Sequence, residues 1–358
     1  MEAVSAGLAD GWADPARLNS ESRRARTLLD ASRDAIADVL GTRMEHVHLV
    51  PTPHLAFERI TAGVAAARRG CDRAVVGATE RDALMDAVQS ALGREPDVVA
   101  VSRLGHIDVE AFAAAVSQVG VAFAAVQHAN QEIGTIQHLG TLAESAHAAG
   151  VPLIVDATAS IGHVAAPSGW DALVAHAADW GGPAGVAVIA TTPHTRWLPV
   201  WAGRGEFAPG GVNPALALAA AVALQERMED IDATDARLRE YITTIRQAVA
   251  GMDGIDVVGD PDQRLAHVLT FSCLYADGEA LVSELDRAGF AIGSGSACAS
   301  GTLEPSRVLA AVGALTHGNV RLALHPGVRQ EDIQAFLDEL PGALERIRSR
   351  LGAPRLAP

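Results

Sequence analysis

Short apolar runs rich in Val and Ile alternate with helical patterns through the middle of the chain. The runs lie at 73–76, 98–101, 121–126, 153–155 and 186–190, and helical spacing fills 81–92, 108–119 and 141–149 between them. Strands joined through a helix run the same way, because the helix carries the chain back across the sheet. The rhythm therefore predicts right-handed βαβ crossovers and a mostly parallel sheet. Two helices precede it, one over Ser20–Leu40 closed by Gly41 and one over 55–69 ending at Gly70. A Gly/Pro-rich break at 204–214 leads into a long helical stretch over 214–250. Strands near Ile255–Val258, 267–271 and Asn319–Ala323 follow, with helices near 278–288, 305–312 and 330–347. At roughly 100–200 residues per domain, 358 residues accommodate two. The expected organisation is a large α/β domain over 20–250 and a smaller α+β domain formed by 1–19 plus 251–358.

Charge narrows the partners. Lys plus Arg total 28 against 43 Asp plus Glu, a formal net charge of −15, which opposes a nucleic-acid backbone or an anionic membrane as the main partner. The first thirty residues lack a basic-then-apolar signal pattern and no apolar run is long enough to span a bilayer, so a cytoplasmic, non-membrane protein is expected. Cys71, Cys273 and Cys298 are too few and too scattered for a disulfide framework or a paired-cysteine metal site. The chemistry is narrowed further by a residue that never occurs. No lysine appears in the sequence, and all 28 basic residues are arginine. The side chains therefore offer no amine for a Schiff base, a nucleophile or a proton shuttle.

Four stretches carry a family resemblance: QEIGTIQ at 131–137, IVDAT at 154–158, GSGSACASGTLEPSRV at 293–308 and NVRLAL at 319–324. In this order they closely resemble the cysteine desulfurases, of the class V aminotransferase branch of the fold-type I pyridoxal-phosphate (PLP) proteins. The resemblance runs through nearly the whole chain and implies a PLP-transferase-like fold. The cysteine stretch is similar to the long-loop class, in which a loop carries the catalytic cysteine. Three requirements of the family reaction are implied with it. A lysine holds the cofactor as an internal aldimine, an acidic partner protonates the pyridine nitrogen, and a cysteine thiolate takes the substrate sulfur as a persulfide, leaving alanine.

Position by position, the resemblance is uneven. At the lysine's place, in the run His176-Ala177-Ala178-Asp179 with Gly182-Pro183 fixing the register, stands Asp179. Its carboxylate cannot form an imine and repels an anionic cofactor. His176 replaces the serine that the resemblance assigns to the phosphate. The helix N-terminus implied to cradle that phosphate reads VPTPHLAFER, where Pro51 and Pro53 supply no N–H while Thr52 and His54 keep some hydrogen-bonding capacity. The second subunit's phosphate loop becomes Ala-Pro-Gly-Gly at 208–211, without its threonine. Arg81 replaces the histidine implied to stack on the cofactor ring, and Ala159 the glutamine implied to contact its ring oxygen. Asp156 matches the pyridine-nitrogen partner, Arg321 the arginine for the substrate carboxylate and Cys298 the sulfur acceptor. Asn130 and Glu132 keep part of an asparagine-rich turn.

Each retained residue has a second reading. Asp156 also suits a cap, Arg321 a structural ion pair, and Cys298, among Gly293, Gly295 and Gly301, either a reactive thiol or an inherited remnant. Cys273, in VLTFSC, reads as core, and Cys71 carries no motif. His176 and Asp179 have helical ligand spacing, but the resemblance implies a turn there, so no metal is expected. The leading expectation is a cysteine-desulfurase-like pseudoenzyme with no bound cofactor. It would be a non-catalytic subunit, a scaffold, or a persulfide relay through Cys298 that meets a sulfur-acceptor protein. A homodimer, or a heterodimer with a related subunit, is expected, and the apolar run PALALAAAVAL within 214–250 suits a buried surface. The competing expectation is an active desulfurase or lyase with non-covalently held PLP, or a new activity in the remodelled pocket.

Overall fold

Val121–Gln127 (β4) is buried at every position, as a strand covered by helices on both faces must be. It lies between Arg73–Gly77 (β2) and Leu153–Asp156 (β5), both parallel to it. The computed structural model describes residues 2–198, 211–294 and 305–352. In it β2 also pairs in parallel with Asp97–Val99 (β3), and β5 with Ala172–His176 (β6). Ala187–Thr191 (β7) runs antiparallel to β6, and Val47–Val50 (β1) antiparallel to β7. The order is β1-β7-β6-β5-β4-β2-β3, a mixed sheet that is mostly parallel.

The chain divides into two compact units. The first runs through Val99 and adds Asp108–His128 and His138–Ile231, and it contains this sheet. Pro53–Ala67 (α3) and Asp82–Leu92 (α4) cover one face. Their Phe57, Ile60, Val64, Leu84 and Val88 pack on Val76, Phe123, Ala125, Ile154, Val174 and Ile189. Each large apolar side chain so buried is worth about 1.5–3 kcal/mol, so the sheet is held rigid beneath whatever sits at its edge. Val109–Val116 (α5) and Leu139–Ala148 (α6) complete the crossovers.

Glu2–Asp10 (α1) and Ser20–Leu40 (α2) both pack on Pro214–Glu229 (α7). The crossing of α1 and α7 is so close that a Cβ at Gly7 would lie 2.7 Å from the Ala215 Cα. That contact places residues 2–19 in the first unit, whereas the sequence pattern had grouped 1–19 with the smaller domain.

The second unit takes Ala100–Ile107, Ala129–Gln137 and the chain from Asp232. Ile255–Val258 (β8), Val268–Cys273 (β9) and Asn319–Ala323 (β10) form an antiparallel sheet of order β10-β9-β8. Ile231–Ala250 (α8), Gly278–Arg287 (α9) and Gln330–Arg350 (α11) pack Ile242, Val249, Leu281, Phe336 and Leu340 against Leu269, Phe271, Val320 and Leu322. The short Arg307–Ala311 (α10) lies in a separate cluster with Ile133 and Val258.

Four elements differ from the sequence expectation, the additional helix α1 among them. β1 and β6 are additional strands, and the stretch over 214–250 breaks at Asp230 into α7 and α8. The residues of β6, Ala-Leu-Val-Ala-His, include a single β-branched side chain, so burial between β5 and β7 rather than propensity makes it a strand. Among the described residues, no helix is long and apolar enough to cross a membrane.

Candidate functional site

In the first unit the chemistry-bearing residues gather at the C-terminal ends of the parallel strands, where open α/β sheets take their ligands. Asp156 is the last residue of β5, and Gln127, the last of β4, is its cross-strand neighbour. Arg81 precedes α4 as its N-cap, and His176 ends β6. Asp179 follows in the 3-10 turn Ala177–Trp180.

Asp156 is almost fully enclosed, and each of its oxygens is occupied by the chain itself. Oδ1 accepts from the Thr158 amide at 2.9 Å and the Thr158 hydroxyl at 2.6 Å. Oδ2 accepts from Arg81 Nε at 2.5 Å. Burial works against the charge on Arg81, but Asp156 foremost, then Asp179 and Glu80, outweighs it, and the guanidinium is held above its ordinary range. The capping reading of Asp156 thus applies to the turn at Thr158, and the substituted Arg81 is joined to it. Alongside, Gln127 Nε2 donates to the Thr79 hydroxyl at 2.7 Å.

Asp179 is tied in twice. Its Oδ2 lies 3.0 Å from His176 Nδ1, so the imidazole N–H donates to it. Its backbone carbonyl accepts from His163 Nε2 at 2.7 Å. Burial lowers the His163 pKa. His128, 2.9 Å from the Ser160 hydroxyl, is lowered to about 4 by burial, so it is neutral at physiological pH. At the start of α3, the Thr52 hydroxyl caps Leu55 N at 3.2 Å and Pro53 occupies the first turn. The helix end implied for a phosphate is therefore already closed by a side chain.

In the second unit, Val320 and Leu322 face the core, so Arg321 between them points to the other side of β10. Its guanidinium makes no hydrogen bond or ion pair among the described residues. Arg321 N donates to the Gly293 carbonyl at 2.7 Å and Gly293 N to the Arg321 carbonyl at 3.0 Å, which fixes the chain entering segment 295–304. Asn130 Oδ1 accepts from the amides of Glu132 at 2.8 Å and Ile133 at 2.9 Å, so that atom builds the turn. The Glu132 carbonyl accepts from Thr270, the cross-strand neighbour of Arg321, and its carboxylate accepts from the Ser306 hydroxyl at 2.7 Å. Cys298 lies outside the described residues. Cys273 is buried, which pushes its thiol up to about 12.

Thr158, Thr79, Gln127, His128, Ser160 and His163 were not singled out by the sequence. Thr158 had a local signal, a hydroxyl two residues after an Asp. The others meet their partners through the sheet and carry none.

The aminotransferase class-V family model matches residues 3–336. The cysteine desulfurase IscS 1 of Archaeoglobus fulgidus is 28% identical, covering 98% of this chain and 94% of its own. The IscS-like cysteine desulfurase of Mycobacterium tuberculosis is 30% identical over 92% of this chain and 89% of its own. Among solved structures, a NifS-like protein superimposes with a TM-score of 0.85, at 18% identity, covering 96% of this chain and 95% of its own, and shares its fold.

Proposed function

Because this chain belongs to the class-V aminotransferase family, with cysteine desulfurases as its named relatives, we propose a cysteine-desulfurase-like protein that handles sulfur without the aldimine route. One observation carries the reading: none of the 358 residues is a lysine, and Asp179 stands at the lysine's place. The residues present do not fit PLP held as the family resemblance implies. Both oxygens of Asp156 are taken by Thr158 and Arg81, and the start of α3 is capped by Thr52. The Asp179 carboxylate would also repel an anionic cofactor.

On this reading the protein is a subunit, scaffold or relay in which Cys298 takes sulfur that another protein has mobilised. The Cys298 thiolate attacks the outer sulfur of a donor persulfide, a new S–S bond forms, the donor's S–S bond breaks, and the donor leaves as its thiolate. The proton stays on the transferred sulfur, now the outer sulfur of the Cys298 persulfide, and no oxidant is required. Arg321 is suited to hold a carboxylate, because its guanidinium has no counter-ion among the described residues. The assembly proposed is a dimer, with itself or with a related subunit.

Spectroscopic titration tests the reading. With excess PLP the purified protein should show no visible aldimine band, and borohydride should fix no cofactor to it. Asp179→Lys alone should not restore alanine release from cysteine, since Asp156 and α3 would be unchanged. Stoichiometric, micromolar binding of PLP by the parent chain would reject the reading.

A second reading has its own observation. The Nδ1–H of His176 is held by Asp179, and Nε2 has no partner among the described residues, the arrangement of a general base oriented by a carboxylate. It supports a lyase-type activity in the remodelled pocket. Turnover of cysteine or a related thiol amino acid that His176→Ala abolishes and Asp179→Asn weakens would favour it.

A further inference from the structure

We infer that Arg81 is a tethered plug, filling a site for a planar cation that Asp156 builds, and that trimming the side chain opens this site to free planar cations. The inference deepens the reading that no cofactor ring pairs with Asp156. Its test uses probes without an aldehyde, so it can fail or succeed independently of the aldimine titration.

The site has a receptor and a plug from distant parts of the chain. The receptor is the Asp156 carboxylate, 2% exposed, with Oδ1 held by the amide and hydroxyl of Thr158. An enclosed carboxylate of this kind requires a counter-charge. Arg81 Nε supplies it at 2.5 Å, from a residue 75 positions away and two strands across the sheet, with β4 between. The guanidinium is flat and presents its N–H in plane. Guanidinium, aminoguanidine and imidazolium offer the same geometry without the tether.

The Arg81 side chain does not cap its own helix. As N-cap of α4 the residue makes no side-chain cap hydrogen bond, so shortening it removes no cap from α4. The surroundings also select the charge of the occupant. Asp179 and Glu80 add negative potential around Arg81. A simple planar cation keeps all three carboxylates compensated, whereas one that carries a phosphate brings repulsion with it. The class of ligand is therefore a small planar cation with an in-plane N–H and no anionic group.

The experiment compares the parent protein, Arg81→Ala and Arg81→Ala/Asp156→Asn by thermal melting in millimolar guanidinium chloride, aminoguanidine or imidazolium at pH 6. Tetramethylammonium at equal ionic strength serves as the non-planar control. Arg81→Ala should melt below the parent and be restored by the planar cations alone, and it should bind aminoguanidine at least about tenfold more tightly than the parent does. Pyridoxine 5′-phosphate should be the weaker ligand. The double variant should melt close to the parent and respond to none of them. An Arg81→Ala protein as stable as the parent overturns the inference, as does rescue that persists in the double variant or is matched by tetramethylammonium. If Arg81→Ala is recovered only unfolded, its refolding yield reads the same question, and a yield indifferent to aminoguanidine overturns the inference too.

Discussion

Asp156 and Arg81 carry the sharpest stability prediction. Removing one partner of an enclosed ion pair leaves the other uncompensated, a loss of about 3–5 kcal/mol. Arg81→Ala strands a carboxylate only 2% exposed and Asp156→Asn a guanidinium 22% exposed, so in denaturant titration Arg81→Ala should be the costlier variant and Asp156→Asn should fall at the low end of that range. Reversing the order of severity, with Arg81→Ala the milder variant, would show that the carboxylate is solvated. Cysteine reactivity is a second matter of single residues. With its thiol pushed up to about 12, Cys273 should resist brief alkylation at neutral pH, and Cys298 should be labelled first of the three. Peptide mass spectrometry reads the order, and equal labelling of Cys273 and Cys298 would leave only a scaffold role. The sequence made Asp156 legible through the family resemblance of IVDAT at 154–158. It could not reveal the pairing with Arg81, since nothing local marks a contact made through a sheet.

Among elements, the crossing of α1 and α7 is set by a missing side chain. A Cβ at Gly7 would come within 2.7 Å of the Ala215 Cα and 2.9 Å of its Cβ, so the helices must separate to admit one. Gly7→Val should destabilise by about 1–3 kcal/mol, as overpacking does, and Ala215→Gly should recover part of the loss in the double variant. Additive effects would argue that α1 is loosely held. The parallel crossovers were legible because β2, β4 and β5 are continuous apolar runs with helices between them. β1 and β6 were not, for opposite reasons. β1 is four residues long, includes His48 and is stopped by Pro51, while β6 is mostly alanine and leucine. Their positions follow from pairing with β7, which no short window of sequence contains.

Across the whole molecule, buried histidines set the response to acid. His48 and His128 are both lowered to about 4, chiefly by burial. Their folded pKa lies below the unfolded value, so the unfolded chain binds more protons between about pH 6.5 and 4. Stability is therefore complete above pH 6.5 and falls as pH drops through that window. Each histidine contributes of the order of 1–3 kcal/mol. Urea titrations at pH 7 and pH 5 should show the loss, and His128→Asn should flatten it. An unchanged slope in that variant would mean that His128 is hydrated. The sequence pattern set the domain boundary after residue 250, whereas the compact units divide between Ile231 and Asp232, and the short segments 100–107 and 129–137 join the second unit by contact rather than by sequence.

The edge pairing of Val47–Val50 with Ala187–Thr191 also sets a timetable. At synthesis rates of about 5–20 residues per second, β1 emerges roughly ten seconds before the strand it pairs with. During that interval its backbone groups have no ladder, and β2, β4 and β5, nearer in sequence, can associate first. The earliest strand made is thus the last seated. A nascent chain halted before 187 should present Val47–Val50 to protease or chaperone, while a chain released after 191 should not.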